Sequence, residues 1–478
     1  MTFREPENCR FRDSILAEGH CCRRAQQIVG EGASVDYAVS RDACEACCRA
    51  QSPDPCNPVV GSLVCAATSR MLRSGVLGSD LVVRLREAQG FAARYLEGVR
   101  GDGETSPPEQ PQTKLPTDTR PPRSNAKGLI GLAGRNSWQG LGYQNRDIVR
   151  QLPVSRWLIP SADRVGPVPS VGECRVEFIP EDAGRRTLES WLRGLDHLLF
   201  VETPCFPELP RLARRLGITV HCVPNWEWLH PGLVWLDDVD RMLCPTEHTY
   251  RILDGWKRRY GYGWELHCVP WPVDVSRWPF RQRKRCHRFL FVNGLGGVRP
   301  ACSDGTPAGY RRKGLELVLE AAALAPEISI LVLSQSEDLP PAPPNVEVRS
   351  GPLDHCRLYD DGDVCLQPSH WEGLGLPLLE CQAAGMPLVT TDAAPMNEYC
   401  PLRVLPVWST EAVRLTPQRW IPAQRLQPAE LAETLRSLHQ TDIAAASRRA
   451  RRFVRQRHDW PLWRSELLRL ITRPAMPA

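Results

Sequence analysis

Two consecutive stretches decide how this chain is read: Asp363-Val-Cys-Leu-Gln367, then Pro368-Ser-His-Trp-Glu-Gly-Leu-Gly-Leu-Pro-Leu-Leu-Glu-Cys-Gln-Ala-Ala-Gly-Met-Pro-Leu-Val-Thr-Thr-Asp392. The first five residues read as a buried strand, and Pro387-Leu-Val-Thr-Thr391 reads as another. Between them lie a Gly-x-Gly turn (Gly373, Leu374, Gly375) and Pro377, which suits the first turn of a helix. This is a strand, loop, helix and strand, with the polar residues gathered where the first strand ends. In an open parallel sheet that end is where ligands bind. Glu372 sits in the loop. Glu380 follows about two helical turns later, on nearly the same face as Pro377 and Ala384. Carboxylates suit neutral, hydroxyl-rich ligands, and the free N–H groups at a helix start favour phosphate. Sugar hydroxyls, a diphosphate and ribose hydroxyls together describe a nucleoside-diphosphate sugar. The plainer reading, two solvated glutamates on an amphipathic helix, is opposed by the surrounding Trp-Glu-Gly-x-Gly-x-Pro and Ala-Ala-Gly-x-Pro patterns.

Outward from this unit, short apolar strands alternate with helical stretches, the sign of a parallel α/β sheet. Strands are expected at 128–133, 198–202, 218–223, 241–244 and 266–269, and a second set at 288–293, 329–334, 346–349, 364–367 and 388–391. Two Rossmann-like, doubly wound domains in series fit this count: residues 127–273 and residues 274–445, with helices over 446–478 that pack back across the domains. Residues 1–100 form a separate, cysteine-rich and mostly helical region. Residues 101–126, rich in Pro, Thr, Gln and charge, read as a linker.

Other segments gather at expected strand ends. Tyr310-Arg-Arg-Lys-Gly-Leu opens a helix, and cations at a helix start are unfavourable unless a phosphate joins them. Ser137-Trp-Gln-Gly-Leu-Gly-Tyr143 follows the first strand, and Gly140 and Gly142 would let backbone approach a ligand closely. It is no dinucleotide fingerprint, because the third glycine is absent. Asn225-Trp-Glu-Trp-Leu-His230, with Glu202 and Thr203 before it, places aromatic faces beside carboxylates, as a sugar or peptide acceptor would need; core tryptophans with one capping Glu is the plain alternative. Of the histidines, His370 is the candidate for a catalytic role because it adjoins Glu372, whereas His230 and His248 read as structural. Asp237-Asp-Val-Asp240 reads as a solvated turn.

The segment around Glu372 resembles the Glu-x7-Glu signature of family 4 glycosyltransferases, retaining enzymes with the GT-B fold, and the resemblance extends over about residues 126 to 470. It implies a hexosyltransferase-like activity on a nucleoside-diphosphate sugar, with Glu372 on the donor sugar and Glu380 on the ribose. It places Lys313 on the diphosphate and the Gly140/Gly142 loop over it, with Gly373, Leu374 and Gly375 also lining the donor. The usual Gly-Arg pair after the preceding strand is replaced by Asn293-Gly294 and a long loop through Arg299 and Asp304, so Arg312 or Arg299 is left to supply the second cation. Pro395-Met-Asn-Glu398 resembles the family's Pro-x-x-Glu loop near the donor. Neither a protein nucleophile nor a metal is needed for the transfer that the resemblance implies.

Eight of the 19 cysteines fall between Cys9 and Cys65. Cys44 and Cys47 have zinc-knuckle spacing, and Cys9, Cys21, Cys22 and Cys48 are near enough to complete a set for zinc or an iron–sulfur cluster. Reduced structural cysteines and disulfides are the alternatives. A formal charge of +5 over 478 residues is mild and does not argue for a nucleic-acid binder, although Ser447–Arg457 carries six arginines in eleven residues. No run of 18 apolar residues suggests a membrane span, and the N-terminus lacks the apolar core of a signal peptide. The expected compartment is the cytoplasm. Three rivals remain: a degenerate nucleotide-sugar-binding protein with a metal-binding head, a nucleic-acid binder, and a GT-B epimerase or phosphorylase. The last lacks a lysine in a context suited to pyridoxal phosphate.

Overall fold

The computed structural model describes residues 12–16, 19–22, 128–163, 168, 174–295, 310–336, 339–352, 354–416 and 419–473. Strands β1 (Arg12–Leu16) and β2 (Gly19–Cys22) pair antiparallel, and Cys21 and Cys22 fall in β2. The rest of the expected helical head, with Cys9, Cys44, Cys47 and Cys48, lies outside the described residues, as do the 101–126 linker, Arg299 and Asp304.

The first large sheet has seven parallel strands: β3 (Ile130–Ala133), β4 (Val154–Pro160), β5 (Arg175–Ile179), β6 (His197–Val201), β7 (Thr219–Val223), β8 (Arg241–Cys244) and β9 (Glu265–Cys268). Their order is β5-β4-β3-β6-β7-β8-β9. Strands β3, β6, β7 and β8 are buried along their whole length, as a parallel sheet covered on both faces requires. Helices α1 (Gly140–Gln151), α2 (Arg185–Leu192), α3 (Leu209–Arg215) and α4 (Glu247–Tyr260) connect them. Thr246 caps α4 by accepting from Thr249 N, and Gly261, at φ 72°, ends it in the left-handed conformation that glycine adopts without strain.

The second large sheet has six parallel strands: β10 (Arg288–Gly294), β11 (Ser329–Ser334), β12 (Val346–Arg349), β13 (Val364–Gln367), β14 (Leu388–Thr391) and β15 (Arg403–Leu405). Their order is β12-β11-β10-β13-β14-β15. Helices α5 (Leu315–Leu324) and α6 (Leu376–Ala383) cross between strands. After β15 an antiparallel hairpin, β16 (Ser409–Thr416) and β17 (Arg419–Arg425), precedes α7 (Pro428–Leu438), α8 (Ala444–Arg457) and α9 (Trp460–Thr472).

Each large sheet reverses its winding once, between β3 and β6 in the first and between β10 and β13 in the second. Those switch points form crevices at the strands' C-terminal ends. The chain returns to the first sheet at its end. Val273 bridges to Asp459, and the buried Arg241 guanidinium donates to the carbonyls of Leu470 and Arg473. One apolar core runs through both sheets, from Ile130 and Val273 to Leu290, Leu378 and Ile471.

Strands β4, β5 and β15 and the β16–β17 hairpin lie outside the apolar pattern expected from the sequence. Arg156 and Pro160 interrupt β4, β5 is an edge strand with only Ile179 buried, and β15 has three residues.

Candidate active site

Two loops meet at the second switch point. One follows β13 and runs from Pro368 to Gly375; the other is 310–314, before α5. Gly314 has φ 78°, and a Cβ there would come within 2.5 Å of the Pro368 carbonyl oxygen, so only glycine lets the loops close. His370 N donates to Arg312 O at 2.9 Å and fixes their register.

This contact brings the charges together. Lys313 Nζ donates to Glu372 Oε1 at 2.6 Å, and the Ser369 hydroxyl donates to the same oxygen at 2.7 Å. Arg312 reaches Glu372 Oε2 at 3.9 Å and Glu227 Oε1 at 3.3 Å. Glu372 is 2% exposed. Burial alone would raise its pKa, but Lys313 and Arg312 overcome that and hold it below the ordinary carboxylate value. For Lys313 burial prevails over Glu372, and its pKa is lowered. Arg312 is raised: burial opposes its charge, yet Glu372, Glu227 and Glu202 more than compensate. The resulting group is a buried carboxylate clamped by two cations.

Across the cleft, the ends of β6 and β7 supply Glu202 and the segment Asn225–Trp228. Trp226 Nε1 donates to the Glu372 carbonyl at 2.8 Å. Burial raises the pKa of Glu227. Burial, with the like charge of Glu227 adding to it, pushes Glu202 up to about 8. Asn225 Nδ2 donates to Glu202 Oε2 at 3.0 Å.

Glu380, on α6, is buried. Its Oε1 lies 2.9 Å from His355 Nε2, and its Oε2 accepts from the Tyr359 hydroxyl at 3.1 Å. Tyr143 of α1 stacks on the His355 ring with centroids 3.9 Å apart. Neither His355 nor Tyr359 was singled out in the sequence, because no local motif marks the loop that carries them.

The helix starts also converge here. Gly375, at φ 75°, precedes α6, and neither α1 nor α6 carries a side-chain cap or an acidic residue in its first turn. Helix α1 begins at Gly140. Gly140 approaches Leu376 of α6, where a Cβ would sit 3.6 Å from Leu376 Cδ1. Gly142 serves its own turn: a Cβ there would lie 2.0 Å from Ser137 O. Asn293, buried at the end of β10, donates to Ser334 Oγ at 3.0 Å while its Oδ1 has no partner, and Gly294 has φ 58°. Leu374 is buried, and its carbonyl accepts from Tyr399.

Two residues take other places than expected. The His370 ring turns toward the hairpin, its Nδ1 2.6 Å from Gln424 O and its face against Tyr310, and burial lowers its pKa to about 4. Glu398 caps the first residues of α4, accepting from Glu247 N at 2.9 Å and His248 N at 2.7 Å. Among the described residues no three His, Cys, Asp or Glu side chains cluster in a way that could hold a metal ion. No helix among them is long and apolar enough to cross a membrane.

Residues 307–404, which carry Lys313, Glu372, Glu380 and Glu398, match the family described as glycosyl transferases group 1. No curated protein matches the chain. Similar solved structures include Anabaena HepE in complex with UDP and glucose, at 11% identity over 72% of this chain and 99% of that one, TM-score 0.52. Sucrose-phosphate synthase from Thermosynechococcus elongatus is similar at 14% identity over 72% of this chain and 98% of that one, TM-score 0.50. At these identities the likeness is one of fold: two Rossmann-like domains, as in GT-B glycosyltransferases.

Proposed function

We propose that this chain is a retaining glycosyltransferase that moves a sugar from a nucleoside diphosphate to an acceptor held against the first sheet. The observation that carries this reading is the buried Lys313–Glu372–Arg312 cluster at the second switch point, inside the segment matching the glycosyl transferases group 1 family. Residues 127–273 are read as the acceptor domain and residues 274–445 as the donor domain.

Glu372 remains anionic in its cage and accepts hydrogen bonds from the donor sugar's hydroxyls. Lys313 and Arg312 stand beside it as counter-charges for the diphosphate. On donor arrival Lys313 exchanges the Glu372 carboxylate for a phosphate oxygen, which frees Glu372 for the sugar, while Arg312 stays paired with Glu227. The uncapped starts of α1 and α6 supply further N–H donors to the diphosphate. Developing charge on the leaving group is stabilised electrostatically, while the anomeric carbon passes through an oxocarbenium-like state. The acceptor oxygen attacks on the departing face, and the leaving phosphate takes its proton, which gives retention without a protein nucleophile or a metal. Glu380 exchanges His355 and Tyr359 for the ribose hydroxyls. His370 secures the hairpin and takes no part in the chemistry.

The second reading is a nucleotide-sugar-binding protein without turnover. The observation favouring it is that protein groups already occupy both oxygens of Glu380 and one of Glu372.

A titration of wild type and Glu380→Ala with UDP, GDP, ADP and dTDP tests the donor reading. UDP comes first, because HepE is described in complex with it. One nucleotide should bind in the micromolar range and lose about ten- to a hundredfold on substitution, the equivalent of one or two hydrogen bonds to a charged group. Binding by none refutes the donor site. Turnover separates the two readings: Glu372→Gln should lower sugar transfer at least a hundredfold with nucleotide affinity preserved, and retention of more than half the activity would remove Glu372 from the mechanism.

A further inference from the structure

Four buried polar atoms without a hydrogen-bond partner belong to one patch: Gln144 Nε2, Asn225 Oδ1, Glu227 Oε2 and Arg312 Nε. Buried polar atoms are seldom left so, and here they are linked. Asn225 Nδ2 lies 3.4 Å from Gln144 Oε1 and 3.0 Å from Glu202 Oε2, and Arg312 donates to the other oxygen of Glu227 at 3.3 Å. The patch adjoins the donor carboxylate. Glu227 lies against the Gly373 backbone so closely that a Cβ at Gly373 would come within 2.0 Å of Oε2, and Gly373 follows Glu372 directly.

We propose that Glu227, with Asn225, Gln144 and Glu202, is the acceptor subsite, and that it takes a neutral hydroxyl-bearing group such as an uncharged sugar ring. The proposal rests on the glycosyltransferase reading above and names the acceptor class for it. The chemistry of the free atoms is the argument. Gln144 Nε2 and Arg312 Nε donate, whereas Asn225 Oδ1 and Glu227 Oε2 accept. A hydroxyl both donates and accepts, so adjacent hydroxyls satisfy such a mixed set. Glu202, raised to about 8, is largely protonated at neutral pH and offers a further O–H donor. Charge is already balanced, with Arg312 and Lys313 facing Glu227 and Glu372. A phosphorylated acceptor would meet the Glu227 carboxylate, and an ammonium would meet Arg312. Glu227 accepts from the acceptor's hydroxyl and holds the neighbouring oxygen toward the donor sugar, so it is a positioning residue.

The test uses the full chain, with and without saturating UDP, and saturation-transfer NMR. The probes are methyl glucoside, methyl galactoside and methyl mannoside, with glucosamine and glucose 6-phosphate as charged counterparts. At least one neutral glycoside should bind. Glu227→Gln should weaken it at least tenfold and Asn225→Ala about fivefold, while UDP affinity stays within threefold in both; far-UV circular dichroism verifies the fold of each. Preference for a charged probe, binding of no neutral glycoside, or unchanged glycoside affinity in both variants overturns the proposal. If wild type binds no nucleoside diphosphate, the donor reading falls instead, and the same glycoside criteria applied to the unloaded chain still decide the acceptor subsite.

Discussion

Removing one member of the Lys313–Glu372 pair should cost more than removing both. Lys313→Met leaves a carboxylate that is 2% exposed, with one hydroxyl donor and Arg312 at 3.9 Å. Stranding one partner of a buried pair typically costs about 3–5 kcal/mol. Arg312 offsets part of this but is shared with Glu227, so the expected loss is about 3 kcal/mol, or roughly 6–12 °C in melting temperature for a domain of this size. Glu372→Gln strands Lys313 instead and should likewise cost about 3 kcal/mol, because shedding the proton of an ordinary lysine at pH 7 would itself cost more, about 4.6 kcal/mol. The double variant carries neither charge and should lie within about 1 kcal/mol of wild type, a coupling on the order of 5 kcal/mol against additivity. Thermal melts of all four proteins followed by far-UV circular dichroism at pH 7 measure the cycle. Because Glu372 is held below its ordinary 4.5, its stabilisation is present above about pH 4.5 and fades as pH falls through the lowered value, so the coupling should shrink in acid. Effects at pH 7 that add within about 0.5 kcal/mol would refute a coupled buried pair.

Three further outcomes follow from the geometry. Glu202 rises from its ordinary 4.5 to about 8, so its folded form is favoured below pH 4.5 and is progressively disfavoured as pH climbs through 8; Glu202→Gln should therefore raise the melting temperature more at pH 8.5 than at pH 5, and an equal change at both would exclude a raised pKa. Gly142→Ala should destabilise by about 2–4 kcal/mol because its methyl meets Ser137 O, whereas Gly140→Ala should stay within about 1 kcal/mol of wild type; equal melting temperatures would contradict the turn geometry. Glu398→Ala removes the acceptor for two α4 amides and should cost about 1–2 kcal/mol, with faster hydrogen exchange at the Glu247 and His248 amides; unchanged exchange there would deny the cap.

Much of the fold was legible where local pattern and tertiary demand coincide. Val364–Gln367 and Leu388–Thr391 read as strands because a central parallel strand must be apolar on both faces, and they are strands at those residues. Pro377 and Gly375 marked the start of α6 for the same reason, since backbone geometry there demands those residue types. Strand β5 escaped because Arg175 sits at a sheet edge that tolerates charge, and β4 because its Arg156 interrupts the apolar run and is satisfied by the Trp191 and Arg193 carbonyls. The β16–β17 hairpin does alternate: Val413, Ile421 and Ala423 are buried between more exposed neighbours, a period-two signal diluted by arginines. At the site, Lys313, Arg312 and Glu372 were named from local motifs, but their mutual contact spans 59 or more residues of chain and only the fold brings it about. Glu227 and Arg312 lie in segments that the sequence marked separately, but their contact across 85 residues of chain comes only from the fold, and His355, which meets Glu380, lies in a loop that no motif marks.

The β16–β17 hairpin carries one more consequence. Its Val413, Ile421 and Ala423 form an aromatic-rich cluster with Tyr310 and Trp371 of the second half and Trp226 of the first, and Arg419 donates to the carbonyls of Trp226 and Glu227. A chimera that joins the first half of this chain to the second half of a relative lacking the hairpin would leave Trp226 uncovered and the 225–228 segment unanchored. Proteins built from two similar halves invite shuffling, and here the hairpin resists it. The 225–228 segment and the hairpin that braces it pack as one unit, so exchanging either half of the chain alone breaks the contacts between them.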